Sequence, residues 1–418
     1  MSTHNKRLPE LLVPIQDWNA LKIINSTDFA DAIYFGVQDY NMRAQARNFT
    51  INDLPKIAEY CHNRNKYLKA YLTTNIVIYD SDLQELENLI LEAKNAGIDA
   101  IIVHDLAAIQ IAKRNKIDFH ISTQANISNI ESALFYENLG AKRIILAREL
   151  SLNQIKNIKS QLSKTEIECF VHGAMCTSIS GRCYLSATIC DSEEFSANRG
   201  KCIQPCRRKW RVIDDDCNEL LYDGQRFINS KDLCMIKYIP ELIEARINSF
   251  KIEGRMKDVF YVKTVASCYR EAIDHYKNGT FSENKVKEWI NRLSKVYNRG
   301  FHTGFYFHRP TIEDVELILG GNVSPWRTQY LGKILSFDDM SMTANVLIEN
   351  RTIPITNGSE IIIRGNDTYH IDTVKKIYVK GKKVEKIIRN KGDKSQIINI
   401  RLENKVESNE KIYILTKE

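Results

Sequence analysis

From residue 11 to about 255, short apolar runs rich in β-branched residues alternate with longer stretches of helical periodicity. This is the pattern of a parallel sheet whose strands are joined by crossover helices. The predicted strands are Leu11–Pro14, Ala32–Gly36, Leu68–Asn75, Ala100–Asp105, Phe119–Asn126, Arg143–Glu149, Glu168–Gly173 and Phe250–Arg255. Eight parallel strands is the number that closes a barrel, so the pattern predicts an α/β fold of the TIM-like (β/α)8 type rather than an open doubly wound sheet. The intervening segments agree. In SDLQELENLILEAKNAG, Leu83, Leu86, Leu89, Ile90 and Ala93 share one helical face, and Gly97 is placed to end the helix.

Residues 257 to 298 continue as helix. From about Tyr330 the texture changes to short β-rich runs separated by Asp, Asn and Gly turns, which predicts a small all-β, barrel-like C-terminal domain. The expected organisation is therefore a TIM-like barrel over residues 1–300 with a Cys-rich insertion at about 174–248 before the last strand, a linker over 301–327, and a β-rich domain over 328–418.

A barrel places the polar residues that close its strands around the carboxyl-terminal mouth, where barrel enzymes carry their chemistry. Here those residues are Asn75, Asp105, Gln124, Arg148, Glu149, His172, Glu253 and Arg255. The segment between the seventh and eighth strands then lies over that mouth, and it is chemically unusual. Eight of the chain's 10 cysteines fall between Cys169 and Cys234. Cys176, Cys183, Cys202 and Cys206 sit among Gly, Ser, Arg and Gln, which gives thiols little apolar company. By contrast Cys169 falls inside a strand and Cys61 and Cys268 inside helices, the settings of buried apolar thiols.

The amino terminus shows no signal-peptide stretch and no run is long and apolar enough to span a membrane, so the expectation is a cytoplasmic protein with no membrane partner. In a reducing compartment a dense thiol patch points to metal or redox chemistry rather than disulfides. The intervals, C-x6-C followed after a gap by C-x3-C, are wider than those of zinc knuckles and suit an iron-sulfur cluster better, with zinc as the alternative. The expected ligands are Cys176, Cys183, Cys202 and, one helical turn on, Cys206, with Cys217 or Cys234 as replacements for the fourth. Gly173, Gly181 and Gly200 are expected to turn the backbone tightly around such a cluster.

The net charge of +7 is mild but uneven, concentrated in CRRKWR beside the cysteines and in a lysine-rich run near the carboxyl end. It permits a polyanionic partner. There is no G-x-S-x-G elbow and no H-E-x-x-H helix.

The segments ECFVHGAMCTSISGRCYLS, NRGKCIQPCR, NSKDLC and SFKIEGR, with PELLVP near the start and FHTGFY at Phe301, resemble the peptidase U-32 or collagenase-like peptidase family over nearly the whole chain. That resemblance implies more than proteolysis. Members include proteins of prephenate-dependent hydroxylation of the tRNA wobble uridine, of hydroxylation of a ribosomal RNA cytidine, and of ubiquinone hydroxylation. They are associated with 4Fe-4S clusters, for which Cys176, Cys183, Cys202 and Cys206 would be the ligands here. Length and the terminal β domain look most like the tRNA-hydroxylating branch.

On this reading the protein hydroxylates the wobble uridine, with tRNA, through its anticodon loop, as partner and prephenate as co-substrate or precursor. A collagenase-like peptidase, or a hydroxylase of another RNA base or small aromatic molecule, is the alternative. The expected catalytic residues are His172, Glu253 and Arg255, with Glu253 moving protons. Arg43, Arg148 and Arg255 hold phosphate or a carboxylated metabolite, and Asn75 and Gln124 meet the substrate. Tyr184, Trp210 and Trp326 are candidates for stacking on bases.

Overall fold

The computed structural model describes residues 7–213, 215–216, 219–220, 226, 228–349, 354–365, 368–387 and 396–417. The chain divides into two compact units, one running to Val323 and the other Ser324–Glu418.

In the first unit, strands β1 (Glu10–Pro14), β2 (Ala32–Phe35), β3 (Lys69–Thr74), β4 (Ala100–Val103), β5 (Phe119–Ile121), β6 (Arg143–Ile145) and β7 (Glu166–Ala174) pair in sequence order. Helices α1 (Trp18–Asn25), α2 (Leu54–His62), α3 (Leu83–Asn95), α4 (Leu106–Asn115), α5 (Ile130–Asn138) and α6 (Leu152–Gln161) make the crossovers. After β7 come α7 (Leu185–Cys190), the small pair β8 (Val212–Ile213) and β9 (Glu219–Leu220), then β10 (Asp232–Cys234) and α8 (Ile239–Glu244). The ring closes through β11 (Ser249–Ile252), which pairs in parallel with both β7 and β1. This is a closed, TIM-like barrel of eight parallel strands, with the insertion between β7 and the closing strand. Most of the barrel strands are buried throughout, because helices cover the outside and side chains fill the inside. That is why they read as continuous apolar runs rather than alternating ones.

The barrel is plugged at its amino-terminal end by charge. Arg143, the first residue of β6, bonds Glu10 at 2.5 Å, Glu166 at 2.6 Å and Glu168 at 3.1 Å, and Lys251 completes the set by donating to Glu168 at 2.8 Å. Above it lies an apolar layer including Leu12, Tyr34, Tyr71, Ile102 and Ile145. A cavity lies toward the carboxyl ends of the strands.

Helices α9 (Val259–Lys277) and α10 (Glu283–Lys295) follow the barrel, and β12 (Phe301–His302) pairs with β10. Residues 301–323 are thus not the expected linker. They belong to the barrel unit, tied to it by the Tyr306 hydroxyl donating to the Phe170 carbonyl at 2.7 Å and by Asn229 donating to the Glu316 carbonyl at 2.8 Å. No helix among the described residues is long and apolar enough to cross a membrane.

The second unit is all β. Strands β13 (Trp326–Asp338), β14 (Thr343–Ile348), β16 (Glu360–Arg364), β17 (Tyr369–Thr373), β18 (Lys376–Val379), β19 (Lys382–Val384), β21 (Gln396–Arg401) and β22 (Lys411–Lys417) form one antiparallel sheet, while β15 (Ile355–Thr356) and β20 (Lys386–Ile387) pair separately. Alternate residues such as Ala344, Val346 and Ile348 point into its own aliphatic core.

Candidate functional site

The carboxyl-terminal mouth holds a cavity of about 420 Å³ lined chiefly by the barrel and the insertion. The barrel strands end there in Thr73, Asn75, Gln124, Arg148, His172 and Glu253, and the insertion contributes Cys176, Cys183, Cys202 and Cys206.

The insertion is held down by specific contacts. Arg199 makes a two-pronged pair with Asp82, at 2.5 and 3.1 Å. Glu149 accepts from the Ser180 amide and hydroxyl at 2.7 and 2.8 Å. Gly181 and Gly200, both at positive φ, let the segment lie directly on the barrel loops, where a Cβ would collide with the carbonyl oxygens of Gln124 and Asn41 respectively. Gly173, the third glycine expected to turn around a cluster, likewise backs onto backbone, an added Cβ meeting the Glu253 carbonyl, and all three glycines line the cavity with the cysteines.

The four thiols act on one another. Burial raises Cys202 and Cys206, and the charges of Cys176 and Cys183 add to both. Burial also pushes the Cys176 thiol up, but the Arg148 and Arg43 guanidiniums and the Ser178 amide outweigh it and hold the thiol below its ordinary value. Among the described residues no three His, Cys, Asp or Glu side chains converge tightly enough to grip a single metal ion. A cubane cluster is wider than one ion and is held at its corners by thiolates, so four thiols lining one cavity fit a cluster better than zinc. Cys234, the alternative fourth ligand, is buried in β10, where burial pushes its thiol up to about 11, and is not among the residues lining the cavity, although its neighbour Leu233 is. Cys217 lies outside the described residues. Cys61, Cys169 and Cys268 are buried.

Several expected roles change. Glu253 is held by Arg43, whose Nε and Nη2 donate at 3.1 and 3.0 Å, and by the Tyr34 hydroxyl at 3.3 Å. Burial alone would raise its carboxyl, but Arg43 and more distant cations keep it below the usual range, so it is an ionised anchor and not a proton donor near neutrality. Arg255 is also a scaffold residue. It is buried, its guanidinium donates to Thr73 at 3.2 Å and to Asn41 and Asn48, and it thereby fixes the loop after β2. His172 is buried and burial lowers its pKa to about 3, which removes it as an imidazolium acid. Asn75 bridges the Met42 amide and the Ser122 hydroxyl, and is structural in that contact.

Two expected residues keep capacity for a ligand. Gln124 accepts from Ser122 at 2.7 Å through Oε1, which leaves its amide NH2 unengaged by the described residues. Arg148 donates to Ser180 and to the Ser178 carbonyl at 3.2 and 3.4 Å, beside Cys176. Of the aromatic candidates, Tyr184 is 66% exposed, Trp210 donates to the Pro205 carbonyl at 2.9 Å, and Trp326 begins β13 in the second unit. Sequence reasoning missed Lys257, Tyr297 and Arg299, which share the cavity wall. They lie in and after helical stretches with no motif to flag them.

Residues 16–316 match the model of peptidase family U32. The chain belongs to that family. The match covers the barrel from just after β1, the insertion and all four cavity cysteines. Among U32 relatives, an uncharacterized protease of Methanocaldococcus jannaschii is 40% identical over 97% of this chain and 98% of its own. A collagenase of Porphyromonas gingivalis is 38% identical over 98% of each chain. A tRNA hydroxylation protein, P1, of Bacillus subtilis is 35% identical over 88% of this chain and 86% of its own. U32 proteins similar to this one along most of their length thus carry both protease and RNA-hydroxylation names.

Proposed function

We propose that this protein is an RNA-modifying enzyme that hydroxylates the wobble uridine of tRNA, in a prephenate-dependent reaction, with a 4Fe-4S cluster held by Cys176, Cys183, Cys202 and Cys206. The observation that carries this reading is the placement of four thiols in the lining of one barrel-mouth cavity, together with Arg148 and Gln124. When bound, the cluster supplies one-electron transfer next to the substrate. The chain's own groups do the rest. Gln124 offers amide hydrogens to a base edge, and Arg148 steadies the thiolate of Cys176. The similarity to a protein named for tRNA hydroxylation supports the substrate class. The C-terminal unit supports an RNA partner through charge, with 17 Lys and Arg against 12 Asp and Glu from residue 321 onward.

Proteolysis is the second reading, favoured by the names of two relatives. Against it, the groups that would serve a nucleophile are committed elsewhere: His172 is neutral and meets the Tyr269 hydroxyl at 3.4 Å, Glu253 is occupied by Arg43, and the low-pKa thiol of Cys176 is one of the proposed cluster ligands.

The deciding experiment is anaerobic purification with iron and sulfide analysis, paired with mass spectrometry of tRNA from a deletion strain complemented by wild type or by Cys183→Ala. Bound iron and sulfide with loss of 5-hydroxyuridine in the variant is the expected result. An iron-free wild type, or unchanged wobble uridines in the deletion strain, rejects the proposal, and casein or gelatin cleavage by the iron-free protein would favour the second reading.

A further inference from the structure

The cavity contains a charge imbalance that the thiols do not explain. Lys257 and Arg299 both line it, and both stand over the ring of Tyr297, the Lys257 Nζ 3.0 Å and the Arg299 guanidinium carbon 5.8 Å from the ring centroid. Arg299 is 3% exposed. It donates to Asp232 at 2.7 Å and to the Tyr297 hydroxyl at 3.4 Å, and its buried Nε has no hydrogen-bond partner among the described residues. The Lys257 ammonium makes no ion pair or hydrogen bond with a described residue, its one contact of that kind being the Tyr297 ring.

Two cations therefore face one carboxylate. The charges that act most on Lys257 are Asp232, Arg299, Glu253 and Asp258, none of them a thiolate. Neither remaining carboxylate closes the gap. Glu253 is held by Arg43, and Asp258 caps α9 by accepting from the Tyr261 amide at 2.9 Å.

A sheltered ammonium without a counter-charge is unfavourable unless a ligand supplies one. We propose that Lys257, Arg299 and Tyr297 form an oxyanion subsite that binds the carboxylate or phosphate group of a small molecule inside the cavity. The unmatched donors are the Lys257 ammonium and the Arg299 Nε–H, and Tyr297 fixes both cations in place. Because Arg299 is so little exposed, the anion reaches it only within the cavity, which suits a small molecule rather than a polymer backbone. Burial, reinforced by Arg299, lowers the Lys257 ammonium to about 8, as expected of a cation awaiting its partner. The subsite follows from the unmatched charge and stands whether or not the protein modifies RNA.

The test is calorimetric titration of the full-length protein, prepared anaerobically, with malonate and separately with inorganic phosphate at constant ionic strength. Saturable binding of at least one anion is expected, and which one binds tells carboxylate from phosphate. Lys257→Met should weaken that binding roughly tenfold or more, the loss of one charge-assisted hydrogen bond, whereas Lys257→Arg should largely retain it. The exposed Lys56→Met serves as a control and should match wild type. At about pH 8.5 binding to wild type should take up protons, since a bound anion raises the Lys257 pKa, and this uptake should vanish in Lys257→Met. Absence of saturable binding of either anion to wild type overturns the proposal, and so does a folded Lys257→Met that binds as tightly as wild type.

Discussion

Arg43 reaches across the barrel mouth to Glu253, 210 residues away in the chain, and places both Nε and Nη2 on a single carboxylate oxygen at 3.1 and 3.0 Å. The contact joins the loop after β2 to the end of the closing strand, so it fastens the ring where the cavity opens. Removing one partner leaves the other charge sheltered and unmatched. Arg43 keeps about a third of its side chain exposed, so water softens the loss. Glu253→Gln and Arg43→Met should each destabilise by about 2–3 kcal/mol, and the double variant by clearly less than the sum. The pH dependence has a definite sign. The folded-state pKa of Glu253 is depressed below 4.5, so its contribution is complete above that pH and is lost as pH falls through the folded value. Urea denaturation at pH 7 and at acid pH checks this: wild type should lose more stability on acidification than Glu253→Gln.

His172 gives a second pH signature. Its pKa falls to about 3 because burial disfavours the imidazolium, against an ordinary 6.5. Above 6.5 both folded and unfolded forms are neutral and stability is unaffected. As pH drops from 6.5 toward 3 the unfolded chain takes up the proton first, and the fold weakens by about 1.4 kcal/mol per pH unit from this group alone. At pH 4.5 the deficit is about 2–3 kcal/mol. In a folded His172→Gln variant the dependence between pH 7 and 4.5 should be shallower by that amount. If His172 instead titrates near 6.5 by NMR, its assignment as a neutral group is wrong.

What the sequence could and could not disclose follows from the range of each interaction. The eight barrel strands were legible because two-sided burial leaves uninterrupted apolar runs, and the insertion was legible because thiols in polar company stand out. The charge plug was not, since Arg143 and Glu10 are 133 residues apart and meet only when the ring closes. For the same reason the sequence could not show which groups Arg255 and Glu253 meet. Beyond β11 the chain leaves the strand, so Arg255 turns to Thr73 and the loop after β2 while Glu253 turns to Arg43. Residues 301–323 read as a linker because β12 is only two residues long, too short to leave a periodic pattern. Lys257 and Arg299 carry no motif at all, and only the shared ring of Tyr297 reveals them.

Gly181 tests how the insertion is seated. It sits at φ 112°, and an added Cβ would collide with the Gln124 carbonyl. Gly181→Ala therefore combines a strained backbone with a clash against main chain, and should cost about 2–4 kcal/mol or unseat the insertion locally. Protease sensitivity between residues 175 and 210 should rise in the variant while the C-terminal unit stays resistant. Gly97→Ala is the control, because its Cβ meets nothing within 4 Å and only the left-handed backbone is penalised, by about 1 kcal/mol.

Cys206 and Cys234 separate a ligand from a core thiol. Cys206 lines the cavity and interacts with Cys176 and Cys183, whereas Cys234 is buried in β10 against Tyr269. If the four cavity thiols hold a cluster, Cys206→Ala should lose most of its iron and visible absorption, with the barrel still folded by circular dichroism. Cys234→Ala should keep full iron content. Its penalty should appear in stability instead, about 1–2 kcal/mol for a small void beside Tyr269. The reverse pattern, with iron lost from Cys234→Ala and retained in Cys206→Ala, would move the fourth ligand to β10.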